Sequence, residues 1–153
     1  MNIGLIVYSE TGNTLSVAQK LEQALKSAGH TVALEKIEAD KDPKTGMVSR
    51  LRSAPAVDVY DAVVFASPVQ AFSLAKGMSA YLAQISSLSG KKAACFITKQ
   101  LKANWMGGTK AIRQITAACK EKGADVTLNG IICWSSENRE AQIDEVVRRL
   151  SAI

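Results

Sequence analysis

The sequence has few of the residues that build disulfide frameworks and metal sites, with three cysteines and one histidine among 153 residues. Cys95, Cys119 and Cys133 are widely spaced, and no two of them form a C-x-x-C pair. An odd number of isolated cysteines argues against a disulfide framework and against a zinc site. All three lie in apolar stretches, so we expect buried structural thiols and no bound metal.

Long apolar runs are absent as well. No run approaches the roughly 20 residues that a membrane-spanning helix needs. The first apolar run, residues 3–8, has no basic region before it and is too short for a signal peptide. We therefore expect a cytoplasmic protein without a membrane span. The length is typical of one domain with one core, which we assign to residues 1–153.

Acidic residues are scarce in one part of the chain. The net charge is +5, and residues 91–123 contain Glu121 as their one acid against eight basic residues, namely Lys91, Lys92, Lys99, Lys102, Lys110, Arg113, Lys120 and Lys122. Such a segment is either a solvated helix face or a surface that attracts an acidic protein or an anionic substrate. Aromatic residues are not interleaved with these lysines, so we expect no nucleic-acid partner.

Strand-like and helix-like patterns alternate along the chain. Apolar, β-rich runs predict strands over residues 2–8, 31–37, 62–66, 92–98 and 125–134. Apolar stripes at helical spacing predict helices over residues 13–28, 74–85, 112–119 and 143–150, the last capped by Ser135 or Ser136. This alternation predicts a parallel sheet covered by helices on both faces. Residues 38–61 must hold a crossover, for which we expect a short helix over residues 47–52.

The loop after the first strand carries donors for an anion and runs directly into a helix. Ligands of doubly wound sheets bind at the carboxyl ends of strands, and hydroxyls, amides and free helix N–H groups there favour a phosphate. The loop lacks both the lysine of a triphosphate loop and the G-x-G-x-x-G pattern, so a monophosphate fits best. The alternative is a helix cap without a ligand. Its residues are Ser9, Glu10, Thr11, Gly12, Asn13 and Thr14.

This loop resembles the S/T-x-T-G-N-T phosphate loop of flavodoxins, which lies at the same place between the first strand and the first helix. Residues 60–69 resemble that family's approach to its second flavin loop, and residues 105–108 resemble the third loop of some short flavodoxin-like proteins. The resemblance covers nearly the whole chain. It implies a three-layer, doubly wound, five-stranded parallel sheet of order 2-1-3-4-5, bound flavin mononucleotide (FMN) and electron transfer.

The resemblance also implies which residues border the cofactor. The first loop would hold the phosphate through Ser9, Thr11, Gly12, Asn13 and Thr14, and Glu10 of the same loop is also assigned to the cofactor site. The second loop would border the flavin ring through Pro68, Val69, Gln70, Ala71 and Phe72. The third would do so through Thr98, Lys99, Gln100, Trp105, Met106, Gly107 and Gly108. Phe72 and Trp105 are the candidates for stacking on the ring. No catalytic side chain is assigned, because the cofactor supplies the redox chemistry.

Two features depart from the family pattern. Many flavodoxins have a glycine in the second loop, whereas residues 68–73 contain none, so positive φ angles would be costlier there. Flavodoxins that carry electrons are usually acidic around the flavin, whereas this chain is basic near its third loop. We therefore expect an acidic redox partner protein.

Three functions are compatible with this pattern. The leading hypothesis is an electron carrier that delivers electrons to a redox partner. The alternative is an FMN-dependent oxidoreductase that uses NAD(P)H and a quinone or flavin acceptor, but the chain has few residues for a substrate lid. A receiver or nucleotide-binding module would need acidic residues after the first strand and an aspartate after the third. Tyr8-Ser9 and Ala66-Ser67 occupy those places.

Overall fold

The secondary structure comes from a computed structural model that describes residues 1–100 and 107–153. The strands are β1 (Asn2–Val7), β2 (Thr31–Lys36), β3 (Glu38–Lys41), β4 (Val48–Ser53), β5 (Ala62–Gln70), β6 (Ser73–Leu74), β7 (Lys92–Lys99) and β8 (Asp125–Cys133). The helices are α1 (Asn13–Ser27), α2 (Lys76–Gln84), α3 (Gly108–Glu121) and α4 (Arg139–Leu150).

The central sheet contains the parallel strands in the order β2-β1-β5-β7-β8, with β6 paired to the end of β5. Counted along the chain, these five strands have the predicted order 2-1-3-4-5, which is confirmed. β1 pairs with β2 on one side and with β5 on the other, in parallel register. The chain therefore reverses its direction of travel across the sheet between β1 and β5, where doubly wound sheets bind their ligands.

The helices cover the two faces of the sheet in pairs. α1 contacts α4 on one face, and α2 contacts α3 on the other. Each face has its own buried cluster, one built around Leu21 and Phe96 and the other around Phe65 and Tyr81. Since both faces are covered, the inner strands can be apolar throughout, which explains the continuous runs in the sequence.

The three cysteines are buried and free, as the sequence predicted. Burial raises the pKa of the Cys95 and Cys119 thiols to about 12, so both stay protonated at neutral pH. Both lie in the cluster beneath α2 and α3, where they act as small apolar side chains.

The predicted helix over residues 47–52 is wrong. β4 occupies this stretch and pairs antiparallel with β3, so the second crossover contains a hairpin. Leu51 packs against the cluster that α2 covers, while Arg50 and Arg52 approach the Asp40 carboxylate at 3.6 and 3.0 Å. This alternation of one apolar residue between two paired charges stabilises a strand rather than a helix.

Two smaller predictions are corrected. β5 does not end at Ala66, because Ser67 and Pro68 continue to pair with β7 before the strand turns back into β6. The helix α4 is capped by Asn138 rather than by a serine, and this cap makes no side-chain hydrogen bond. Over residues 1–100 and 107–153, no helix has the length and apolarity that crossing a membrane would require.

Candidate functional site

Three loops meet at the carboxyl edge of the sheet, around a cavity of about 130 Å³. The lining residues come from the ends of β1, β5 and β7, namely Glu10, Thr11 and Asn13, then Pro68, Val69 and Gln70, then Thr98, Lys99 and Gln100. All nine are residues that the sequence assigned to the site.

A larger cavity of about 410 Å³ lies on the other side of the first loop, between the ends of β1 and β2. Its lining includes Ser9 and Thr11 but also Lys36, Ile37 and Glu38, and it contains no residue of the second loop. We assign the cofactor site to the smaller cavity, because it lies where the strand order reverses and because all three loops meet there.

The first loop is arranged to receive an anion. Gly12 has a φ of 94°, and a Cβ placed there would meet no described atom within 4 Å, so the loop is open to solvent. Ser9 Oγ accepts hydrogen bonds from the N–H groups of Gly12 at 3.2 Å and Leu15 at 3.4 Å, which leaves its own O–H free to donate. The N–H groups of Asn13 and Thr14 have no acceptor within the part of the chain that the structure describes.

Thr14 connects the first loop to the third. The residue is 1% exposed, and its hydroxyl lies 2.8 Å from the Thr98 hydroxyl at the end of β7. Two hydroxyl groups carry two hydrogens, and one hydrogen is enough for the bond between them. One O–H of this pair is therefore available to a ligand at the carboxyl edge.

Glu10 joins three segments through one carboxylate. It accepts hydrogen bonds from Tyr8 at 2.5 Å, from Gln70 at 2.6 Å and from the Lys41 ammonium on β3. Burial alone would raise the pKa of Glu10, but the bonds from Lys41 and Tyr8, the Lys41 charge and the Gln70 bond together lower it below its usual value. The negative charge of the first loop, on Glu10, is thus paired with the Lys41 ammonium.

The second loop is a two-residue hairpin turn between β5 and β6 with an unusual backbone. Ala71 has a φ of 49° and Phe72 a φ of 62°, the pattern of a type I′ turn, which normally requires glycine, asparagine or aspartate. The left-handed region costs other residues about 1–2 kcal/mol each. The loop adopts positive φ angles although it contains no glycine, so contacts with neighbouring residues must hold it in this conformation.

The helix α3 supplies two of those contacts. Gln114 Oε1 accepts hydrogen bonds from Ser73 Oγ at 3.0 Å and from the Leu74 N–H at 2.9 Å. Gly107, the N-cap of α3, lies so close to the second loop that a Cβ there would be 2.5–2.8 Å from the Phe72 backbone. The side chain of Phe72 is 57% exposed at the rim of the site.

The third loop is described in part. Lys99 is 4% exposed and borders the cavity with Gln100, and Gly108 begins α3. Trp105 and Met106, which the sequence also assigned to this loop, lie outside the described residues. Their contribution to the site stays a prediction.

Comparison with known proteins identifies the fold. No protein-family model and no curated protein sequence matches the chain. Its structure is similar to Flavodoxin 1 from Bacillus cereus, with a TM-score of 0.73 and 16% identity over 99% of this chain and 95% of that one. Flavodoxin 2 from the same organism matches with a TM-score of 0.69 and 20% identity over 97% of this chain and 96% of that one. The chain has a flavodoxin-like fold.

The flavodoxin-like fold also occurs within a larger enzyme. Rubredoxin oxygen:oxidoreductase from Desulfovibrio gigas matches with a TM-score of 0.68 and 13% identity, over 99% of this chain but 35% of that protein. The likeness at these identities establishes the fold, and the function has to be argued from the site.

Several residues at the edge of this flavodoxin-like fold were not predicted from the sequence. Tyr8, Lys41 and Gln114 contact site loops, yet Lys41 is 31 residues from Glu10 and Gln114 is 41 residues from Ser73. Lys41 could not be placed, because its segment was not recognised as a strand. Gln114 could have been recognised as a polar residue on the apolar face of its helix. Its partners, Ser73 and Leu74, depend on how α3 packs against β6.

Proposed function

We propose that this protein binds FMN and acts as a flavodoxin-type electron carrier that delivers electrons to a redox partner. The observation that carries the proposal is the first loop, where free donors at the start of α1 meet the second and third loops at one edge of the sheet. A bound FMN would supply the redox chemistry, while the chain would bind it, orient it and limit its contact with water.

The donor set fits a monophosphate. The O–H groups of Ser9 and Thr11 and the N–H groups of Asn13 and Thr14 can all donate to phosphate oxygens. The first turn of α1 has no acidic residue, and its helix dipole favours an anion. Glu10 is the one acid within the first loop, and its carboxylate is paired with the Lys41 ammonium.

The ring would lie over the second and third loops. The turn at Ala71 and Phe72 projects at the rim, and the exposed Phe72 ring is available to stack on a flavin. The cavity beneath is lined by Pro68, Val69 and Thr98.

Basic residues lie at both edges of the sheet. Lys92 begins β7, and Lys122 is the C-cap of α3 next to Leu88, so both lie at the amino edge, far from the site. Lys110 lies one turn before Gln114 on α3, and exposed Lys76 begins α2, so both lie near the second loop. We infer that the partner is acidic and docks on this side, by charge complementarity.

The first experiment is the absorption spectrum of the protein after FMN addition and desalting, with riboflavin as the control ligand. Retained FMN with weak riboflavin binding supports the phosphate loop, whereas equal affinities contradict it. Anaerobic NADH and NADPH are then added. Unchanged absorbance supports a carrier, and rapid bleaching would favour the NAD(P)H-dependent oxidoreductase instead.

The docking side is tested with small acceptors of opposite charge, ferricyanide and hexaamminecobalt(III). Added salt should slow the reaction of the reduced protein with the anion and speed its reaction with the cation. The double variant K76E/K110E should reverse the sign of both salt dependences. The control K92E/K120E makes the same change of charge at the amino edge, where Lys120 lies in the last turn of α3, and should preserve them. Equal effects of the two variants would contradict docking near the second loop.

A further inference from the structure

The hairpin around the turn at Ala71 and Phe72 has few backbone hydrogen bonds between its two strands. β6 has two residues, which pair as Val69 with Leu74 and Gln70 with Ser73. In an antiparallel hairpin, bonded and non-bonded pairs alternate, and the pair beside a two-residue turn is the bonded one. The N–H of Leu74 therefore points away from β5 and needs an acceptor elsewhere.

Gln114 provides that acceptor from another element. Its Oε1 lies 2.9 Å from the Leu74 N–H and 3.0 Å from Ser73 Oγ, so one side-chain oxygen fixes both residues of β6. Leu74 is 3% exposed, which means that water does not replace this bond when it is lost. The bond is therefore costly to break.

The opposite side of the same turn is fixed as well. Gln70, the last residue of β5, donates to Glu10 at 2.6 Å. Gly107 packs its Cα against the backbone of Phe72, which closes the space into which the turn could relax. A non-glycine turn with two positive φ angles persists only where its surroundings hold it, and these are the contacts that do so.

We propose that Gln114 is a positioning residue for flavin binding, which holds the second loop in the conformation that meets the ring. The inference rests on the proposed function, since it assigns Gln114 an effect on a bound flavin. Gln114 does not touch the cavity between the three loops, so it acts through Ser73 and Leu74. Its hydrogen bonds within the described residues go to β6 and not to the first loop, so we expect its effect at the ring rather than at the phosphate.

The test compares Gln114→Leu with Gln142→Leu. Gln142 on α4 also accepts one backbone N–H at a strand end, that of Cys133 at 2.8 Å, but on the other face of the sheet. Without flavin, amide exchange should accelerate at Leu74 in Gln114→Leu alone and at Cys133 in Gln142→Leu alone. The φ-sensitive NMR couplings of Ala71 and Phe72 should change only in the first variant.

Flavin affinity is then measured for both variants by fluorescence quenching. Gln114→Leu should weaken the binding of FMN and of riboflavin by the same factor, about tenfold, because the two hydrogen bonds that it removes hold the loop at the ring. Gln142→Leu should bind both ligands as the wild type does. Gln114→Glu retains an acceptor oxygen and should restore riboflavin affinity. This variant distinguishes loss of the acceptor from misfolding of Gln114→Leu.

Two results would overturn the inference. One is unchanged exchange at Leu74 and unchanged couplings in Gln114→Leu. The other is a loss of flavin affinity no greater than that of Gln142→Leu, or one confined to FMN. A wild-type protein that binds neither ligand would instead refute the proposed function and with it the role of Gln114 in flavin binding. The amide-exchange data would still show whether Gln114 holds the turn.

Discussion

The side-chain amide of Gln70 donates a hydrogen bond of 2.6 Å to the Glu10 carboxylate, which joins the second loop of the site directly to the first. The same carboxylate accepts from Tyr8 and from Lys41 of the β3–β4 hairpin. The hairpin that replaces the expected helix is thus tied to the site. Gln70 and Glu10 are 60 residues apart in sequence, and the Glu10 carboxylate is the acceptor and the charge that joins their two loops.

Replacing Glu10 by glutamine should destabilise the protein in a pH-dependent way. Because the folded pKa of Glu10 is lowered, its contribution to stability is present above the unfolded pKa of about 4.3 and is lost as pH falls through the folded value. The urea midpoint of Glu10→Gln should lie below that of the wild type at about pH 7, and the difference should be smaller at about pH 3.

The control for this prediction is Glu22→Gln, which breaks the single pair of Glu22 with Lys26 on α1. Pairs of this i,i+4 type contribute about 0.3–0.5 kcal/mol, so its urea midpoint should change less. A constant difference between wild type and Glu10→Gln at both pH values would contradict the role of the carboxylate charge.

The buried hydroxyl pair of Thr14 and Thr98 should show strong coupling. Changing one residue to valine leaves the other hydroxyl unpaired at 1–4% exposure, which should cost about 1–3 kcal/mol. The double variant Thr14→Val/Thr98→Val should cost less than the sum of the single changes. Urea unfolding of all four proteins gives the coupling energy, and simple additivity would show that the pair does not interact.

Gly107→Ala should disturb the second loop as well as its own backbone. Gly107 has a φ of 105° and abuts the Phe72 backbone, whereas Gly90 has a φ of 78° with open space around it, so Gly90→Ala is a control for strain alone. Strain of this type costs about 1–2 kcal/mol. Gly107→Ala should lower the free energy of unfolding further and also weaken flavin binding, which Gly90→Ala should leave unchanged.

Gly77→Ala should destabilise the protein although alanine favours helices. Its Cβ would come within 2.3–2.8 Å of the Tyr8 ring, because α2 packs directly on the end of β1. Overpacking costs about 1–3 kcal/mol, against a gain of about 1 kcal/mol in helix propensity. Thermal unfolding should therefore show a lower midpoint. Ser79→Ala, at an exposed position of the same helix, should show no decrease, and a stabilised Gly77→Ala would refute the close packing.

The sequence located the parallel strands well and the second crossover poorly. Buried strands such as β1 and β5 are recognisable because both of their faces are covered, which selects continuous apolar runs. The hairpin at residues 38–53 has no such run. Its strands are defined by backbone pairs such as Asp40 with Arg50, which are 10 residues apart, and no local periodicity encodes a partner at that distance.

The cytoplasmic location and the single-domain assignment stay predictions. So does the set of residues assigned to the cofactor, although nine of them line one cavity in the structure. Binding by these residues is decided by flavin titration, because the fold alone does not determine a ligand.

The sequence by itself determined where the parallel strands lie and which donors the first loop carries, because burial on both sides of a sheet and donors at a helix start leave local patterns. The strand order followed from the resemblance to flavodoxins. Only the tertiary structure decided which side chains support the site. Gln114 meets Ser73, Lys41 meets Glu10, and Gly107 meets Phe72 because separate elements pack side by side. Such contacts depend on packing distances of a few ångströms between elements far apart in sequence, which no local pattern records.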